Sequence, residues 1–138
     1  MTTTTLGELT SKHGFDVLEH LEAEASVPVH KGLQAQGDLF IVPVSSGDYP
    51  AGTVAEIGAE GVPVIEAVGG GHEHRIFASV PGTARVRMLG RGQDIAYLEC
   101  TEPVYSLHVE HGATGIAPGA YLFRRQREQA DEERLVAD

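Results

Sequence analysis

Cysteine is almost missing from this chain: Cys100 is the only one in 138 residues. A single thiol excludes an internal disulfide and points to a reducing compartment. A lone cysteine of this kind usually serves as a small core hydrophobe. There is no tryptophan, and the ten basic residues, two lysines and eight arginines, face twenty acidic ones, for a formal net charge of −10. Nucleic-acid binding rests on basic neutralisation of phosphates, so this balance argues against a general phosphate-binding surface. The exception is a local patch, Arg124-Arg125-Gln126-Arg127. No apolar run approaches the roughly 18–20 residues of a membrane span. The longest, Leu39-Phe40-Ile41-Val42, has the length of a strand. The beginning of the sequence also lacks the basic and apolar regions of a signal peptide. The expectation is a cytoplasmic protein without a membrane segment.

Glycine, by contrast, is plentiful: seventeen glycines and seven prolines punctuate the chain into short segments. Residues 1–5 offer nothing to bury and are expected to fray, residues 6–128 form one domain, and residues 129–138 are a charged tail. Leu6, Leu9, Phe15, Val17, Leu18 and Leu21 fall partly at helical spacing; Gly14 interrupts them, so the spacing predicts a helix from about residue 15 to 25 after a helical turn. Residues 39–44, 62–68, 84–89, 95–100, 104–110 and 120–125 read as strands. The 39–44 segment is apolar on both faces and should be covered on both, with Pro43 marking an edge or bulge. In residues 84–89, Ala84, Val86 and Met88 alternate as the inward face. Residues 112–119, rich in Gly and Ala, read as a tight connection. The sum is a mainly β fold, a small β-barrel or sandwich with one N-terminal helix.

Four of the seven histidines sit in two short stretches, Gly71-His72-Glu73-His74 and His108-Val109-Glu110-His111. Strand side chains alternate with period two, so His72 and His74 share one face. His108 and Glu110 share a face of the second stretch in the same way. Neutral imidazole is the commonest biological metal ligand, and a same-face pair needs one or two further donors from a neighbouring strand. His108 and Glu110 supply them, with His111 joining only where the strand ends or bulges; Gly112 provides for that. The candidate metal ligands are therefore His72, His74, His108, His111 and Glu110, and the cofactor a divalent metal such as zinc, iron or nickel. A closed tetrahedral set would be structural; two histidines and a carboxylate with open positions would suit chemistry on a bound water. Exposed or merely hydrogen-bonded histidines, and a metal-free acid–base or pH-sensing cluster, are the competing readings. The direction of the polar face of residues 104–110 is open: a site inside the fold needs Ser106 and His108 to point inward and Tyr105, Leu107 and Val109 outward.

Other chemistry finds no support. The triple glycine 69–71 is not a dinucleotide fingerprint, since no helix follows it, and neither a P-loop nor a nucleophile elbow is present. His13, His20 and His30 are isolated. The alternative to a metal site is a non-catalytic interaction or assembly module, pairing with itself or another protein through Arg124, Arg125 and Arg127 on an edge strand.

Two resemblances accompany these motifs. The Gly-His-x-His stretch, the later His-x-x-His-Gly and the ending Pro118-Gly119-Ala120-Tyr121 … Arg124-Arg125-Gln126-Arg127-Glu128 resemble a set of short, uncharacterised bacterial β-rich proteins over roughly residues 35–130. His72 and His74, with His108 as the later histidine, partially resemble the metal-holding strands of cupins, which implies a small metal-binding barrel. Ala78 and Ser79 stand in the region where the cupin glutamate would fall.

Overall fold

The computed structural model describes residues 4–17, 23–45, 55–66 and 72–125. The one helix among them, α1 (Leu6–His13), lies earlier than its apolar spacing predicts. A capping box sets its start. The Thr5 hydroxyl accepts from the Glu8 N–H at 3.2 Å, and the Glu8 carboxylate accepts from the Thr5 N–H at 3.3 Å. Residues 15–17 and 23–25 are not helical, and 18–22 lie outside the described residues. Thr4 and Thr5, expected to fray, are tied down: the Val27 N–H donates to the Thr4 carbonyl at 2.8 Å.

Eleven strands follow among the described residues: β1 (Val29–His30), β2 (Gln34–Gln36), β3 (Leu39–Val44), β4 (Ala55–Glu56), β5 (Val62–Ile65), β6 (His74–Ala78), β7 (Ala84–Arg91), β8 (Asp94–Cys100), β9 (Val104–His108), β10 (Gly112–Ile116) and β11 (Gly119–Arg125). They form two sheets, ordered β1-β10-β9-β6-β5 and β2-β3-β11-β8-β7-β4. Neither closes into a barrel, so the domain is a small β-sandwich. No described helix is long and apolar enough to cross a membrane.

Alternation along the strands builds two cores. Between the sheets, Leu39, Ile41, Leu98, Tyr121 and Phe123 of the six-stranded sheet meet Val64, Ile76, Val104 and Ile116 of the five-stranded one. Cys100 joins this core, and burial pushes its thiol up, as befits a core hydrophobe rather than a reactive group. On the other face of the five-stranded sheet, Phe77, Tyr105 and Leu107 pack under Leu6 and Leu9 of α1. This division settles the direction of β9. Tyr105 and Leu107 belong beneath the helix, so Ser106 and His108 share the inward face of Val104.

Four expectations need correction. Residues 112–116 are a strand rather than a connection. Their small side chains allow a close approach: a Cβ on Gly115 would stand 2.5 Å from the Pro28 carbonyl, on the segment leading into the parallel neighbour β1. Met88, expected inward, is 51% exposed, at a point where the β7–β8 pairing shifts register between Met88 and Arg91. Strand β11 is not an edge. It pairs with β3 on one side and β8 on the other. Its arginines are also taken within the chain, Arg124 by Asp94 and Arg125 by Asp38, each at 2.8 Å; Arg127 lies outside the described residues. Pro43 fits its reading better, because β2 accompanies β3 only as far as Ile41 and leaves that side of β3 without a described partner.

Candidate metal centre

Strands β6 and β9 are antiparallel neighbours in a register that sets His74 directly opposite His108. Directly opposed residues bring their side chains together, and the two rings lie 4.3 Å apart between centroids. Strand β9 ends at His108, and three residues turn the chain back so that Gly112 pairs with His108. That turn places the His111 ring 4.5 Å from the His108 ring. His72, two residues before His74, puts its ring 5.9 Å from His108. The rings of His72, His74 and His111 thus gather around the ring of His108. His74 and His108 are buried, at 2% and 3% exposure, while His72 and His111 are exposed at the rim. Glu110 joins at that rim, with its carboxylate 3.2 Å from His72 Nε2.

The opposite sheet supplies residues that the sequence reading missed. Gln36 and Leu39 pair across a two-residue hairpin turn, Gly37-Asp38, between β2 and β3. Such a turn needs a positive φ, and Gly37 has φ +61°. The turn delivers Asp38 to the cluster: Oδ1 lies 3.3 Å from His74 Nε2, and Oδ2 accepts from Arg125 Nε at 2.8 Å. Burial alone would push the Asp38 carboxyl up. Hydrogen bonds from His74 and Arg125, with their charges, outweigh it and hold the group below its usual range. A Gly-Asp pair heading a strongly apolar strand was the signal available for this residue.

Gln36, also buried, spans the two sheets. Its Nε2 donates to the carbonyls of Ser106, at 2.9 Å, and Gly112, at 3.4 Å. Its Oε1 accepts from the Ser106 hydroxyl at 2.7 Å and lies 3.1 Å from His74 Nδ1. Turning the amide over would aim its oxygen at two carbonyls, so the network fixes its orientation. Since Oε1 can only accept, His74 must carry a proton on Nδ1. His108 is in the reverse state. Its Nδ1 accepts from the N–H groups of Glu110, at 3.1 Å, and His111, at 3.2 Å, so in the neutral ring the proton sits on Nε2. Burial, followed by the neighbouring charges of His74, His111 and His72, pushes the His108 pKa down to about 4 against a partial pull from Asp38. The Nδ1 atoms of the two facing imidazoles therefore play opposite parts, donating in His74 and accepting in His108.

Among the described residues no group of three or more His, Cys, Asp or Glu side chains is placed so that it could hold a metal ion. His111 Nε2 and His74 Cε1 both lie over Gly37, 2.8 Å and 3.6 Å from where a Cβ would stand. Gly37→Ala is accordingly expected to displace His111 and to destabilise the fold by about 1–2 kcal/mol from the left-handed backbone alone. Urea unfolding gives the second effect and the imidazole NMR signal of His111 the first; an unmoved His111 signal would contradict it.

Of the other histidines, His13, the last residue of α1, stacks on Phe77 at 4.1 Å between ring centroids, on the sheet face away from the cluster. His30 forms part of β1, and His20 lies outside the described residues. No curated protein and no solved structure matches the chain. Residues 35–126, which hold every member of the cluster, match the model of a family described as a domain of unknown function, DUF8820, and the chain belongs to that family.

Proposed function

We propose that this β-sandwich binds a divalent metal at the end where β6, the β9–β10 turn and the β2–β3 turn meet, using the ring of His72, His74, His108 and His111 with Glu110 at its rim. The observation that carries the reading is the gathering of the His74, His111 and His72 rings around His108, at 4.3, 4.5 and 5.9 Å between centroids. Nitrogen donors flanked by carboxylates suit zinc and iron(II) better than calcium or magnesium, which take oxygen ligands. Packing several imidazoles together in a half-buried site has a cost when any of them charges, and a bound cation shared among neutral rings removes it. The buried pair gives the site a fixed wall. The exposed pair gives it a way in.

The test is elemental analysis of protein prepared without a histidine tag, loaded with zinc and desalted. About one equivalent is expected in the wild type and almost none in the His72→Ala/His74→Ala double variant. Sub-stoichiometric metal in both would refute the proposal.

A further inference from the structure

We infer that the sheet face of Phe77, Tyr105 and Leu107 is an exchangeable docking site, and that the partner it takes is residues 4–27 of a second copy of this chain. The inference is independent of the metal reading. The chain's own Leu6, Leu9 and Val27 already sit on that face. Every other copy carries the same segment, so whatever fits within one chain fits between two.

The way the segment is held favours exchange. Its backbone bonds run within itself. The Leu6 N–H donates to the Ala25 carbonyl at 3.0 Å, the Gly7 N–H to that of Ala23 at 2.7 Å, and the Val27 N–H to that of Thr4 at 2.8 Å. The approach is close: a Cβ on Gly7 would stand 3.0 Å from the Ala23 carbonyl oxygen. Toward the sheet the segment offers apolar side chains instead, Leu6, Leu9 and Val27, with Phe15 and Val17 half-buried beside them. A polar link that crosses, from Lys12 Nζ to the Ser79 carbonyl at 2.8 Å, is exposed. Apolar contact is non-directional, and exchanging an identical element between copies is a low-cost route to a dimer.

The fit on the face is also imperfect. His13 Nε2, on the segment, and Ser79 Oγ, on the residue that receives Lys12, are buried without a hydrogen-bond partner. Parting the two surfaces lets water reach both atoms, which offsets part of the cost of uncovering the leucines. The family match, residues 35–126, includes the face and leaves the segment out. Cover and face are thus separate pieces of sequence. They are joined through Lys31-Gly32-Leu33, where Leu33 is 69% exposed and a Cβ on Gly32 would meet nothing within 4 Å.

The probe is a fluorescent peptide of residues 1–30, standing for the segment of a second copy. It is titrated into the full chain as wild type and as Leu6→Ser/Leu9→Ser, a double variant whose own cover is weakened. The variant is expected to bind the peptide at least about tenfold more tightly than the wild type, whose own segment leaves the face open only part of the time. A peptide carrying the same two substitutions is expected not to bind. Three results would overturn the proposal: no binding to the folded variant, equal binding by variant and wild type, or undiminished binding of the substituted peptide. Should the variant fail to fold, hydrogen exchange of the wild type decides. The amides of Leu6, Gly7 and Val27 are expected to exchange at least about tenfold faster than those of β6 and β9. Equal protection would mean that the segment leaves only when the whole domain unfolds, and would refute exchange.

Discussion

Gln36→Leu is expected to cost about 3–5 kcal/mol of folding stability, although it places an apolar side chain of similar size at a buried position. The reason lies in what the glutamine leaves behind. Its amide serves two carbonyls, those of Ser106 and Gly112, and two donors, the Ser106 hydroxyl and His74 Nδ1. All four are inside the protein, and each buried polar group left without a partner costs about 1–3 kcal/mol. Leucine recovers part of this through apolar burial, of the order of 1.5–3 kcal/mol for a full side chain. Chemical denaturation reads the difference directly. A Leu variant as stable as the wild type would mean that these four groups find other partners and that the glutamine does not join the sheets.

The second large effect is on pH dependence. Chelator-treated protein should lose on the order of 2–3 kcal/mol of stability between pH 6.5 and pH 4. The sign follows from His108, whose pKa of about 4 in the fold lies below its ordinary 6.5. Within that window the unfolded chain binds the proton and the folded chain does not, so acid favours unfolding. The contribution is fully present above pH 6.5 and is lost as pH falls toward 4. A shift of this size corresponds to at most about 3.4 kcal/mol, and screening by solvent at the rim reduces it. Asp38, also held below its usual range, acts in the same direction at still lower pH. Urea midpoints measured across the window should therefore fall steeply in the wild type and remain nearly flat in His108→Asn. Parallel curves would show that burial of His108 is not what the acid attacks.

The histidine cluster was partly legible because His74 and His108 lie on strands and His72 and His111 stand just beyond the ends of those strands. Period two placed His72 and His74 together, and the end of β9 let His111 join, as Gly112 had indicated. What the sequence concealed was the partner sheet. Gln36 and His74 are 38 residues apart in sequence, and Gln36 and Ser106 are 70 apart. No local pattern marks pairs so distant. The orientation of β9 was equally hidden, since Tyr105 and Leu107 suit a core as well as they suit the shelter of a helix. Two other misses had visible signals. Thr5 and Glu8 stand at capping-box spacing, which would have started the helix at Leu6 instead of after Gly14. The Gly and Ala content of residues 112–116 read as a turn because small residues are common there. Here they admit a neighbouring backbone instead.

The two ends of this sandwich keep their layers apart by different rules. Where Leu98, Phe123 and Ile76 meet, the gap follows side-chain volume, and a lost methylene lets the layers sag a little. At the histidine end the Gln36 amide, with the Asp38 carboxylate against His74 beside it, bridges the gap with contacts of fixed length and direction, so the spacing there has no gradual adjustment available. Drift in the hydrophobic filling elsewhere would therefore tilt one layer about that amide as a pivot, and leave the geometry around it largely as it is.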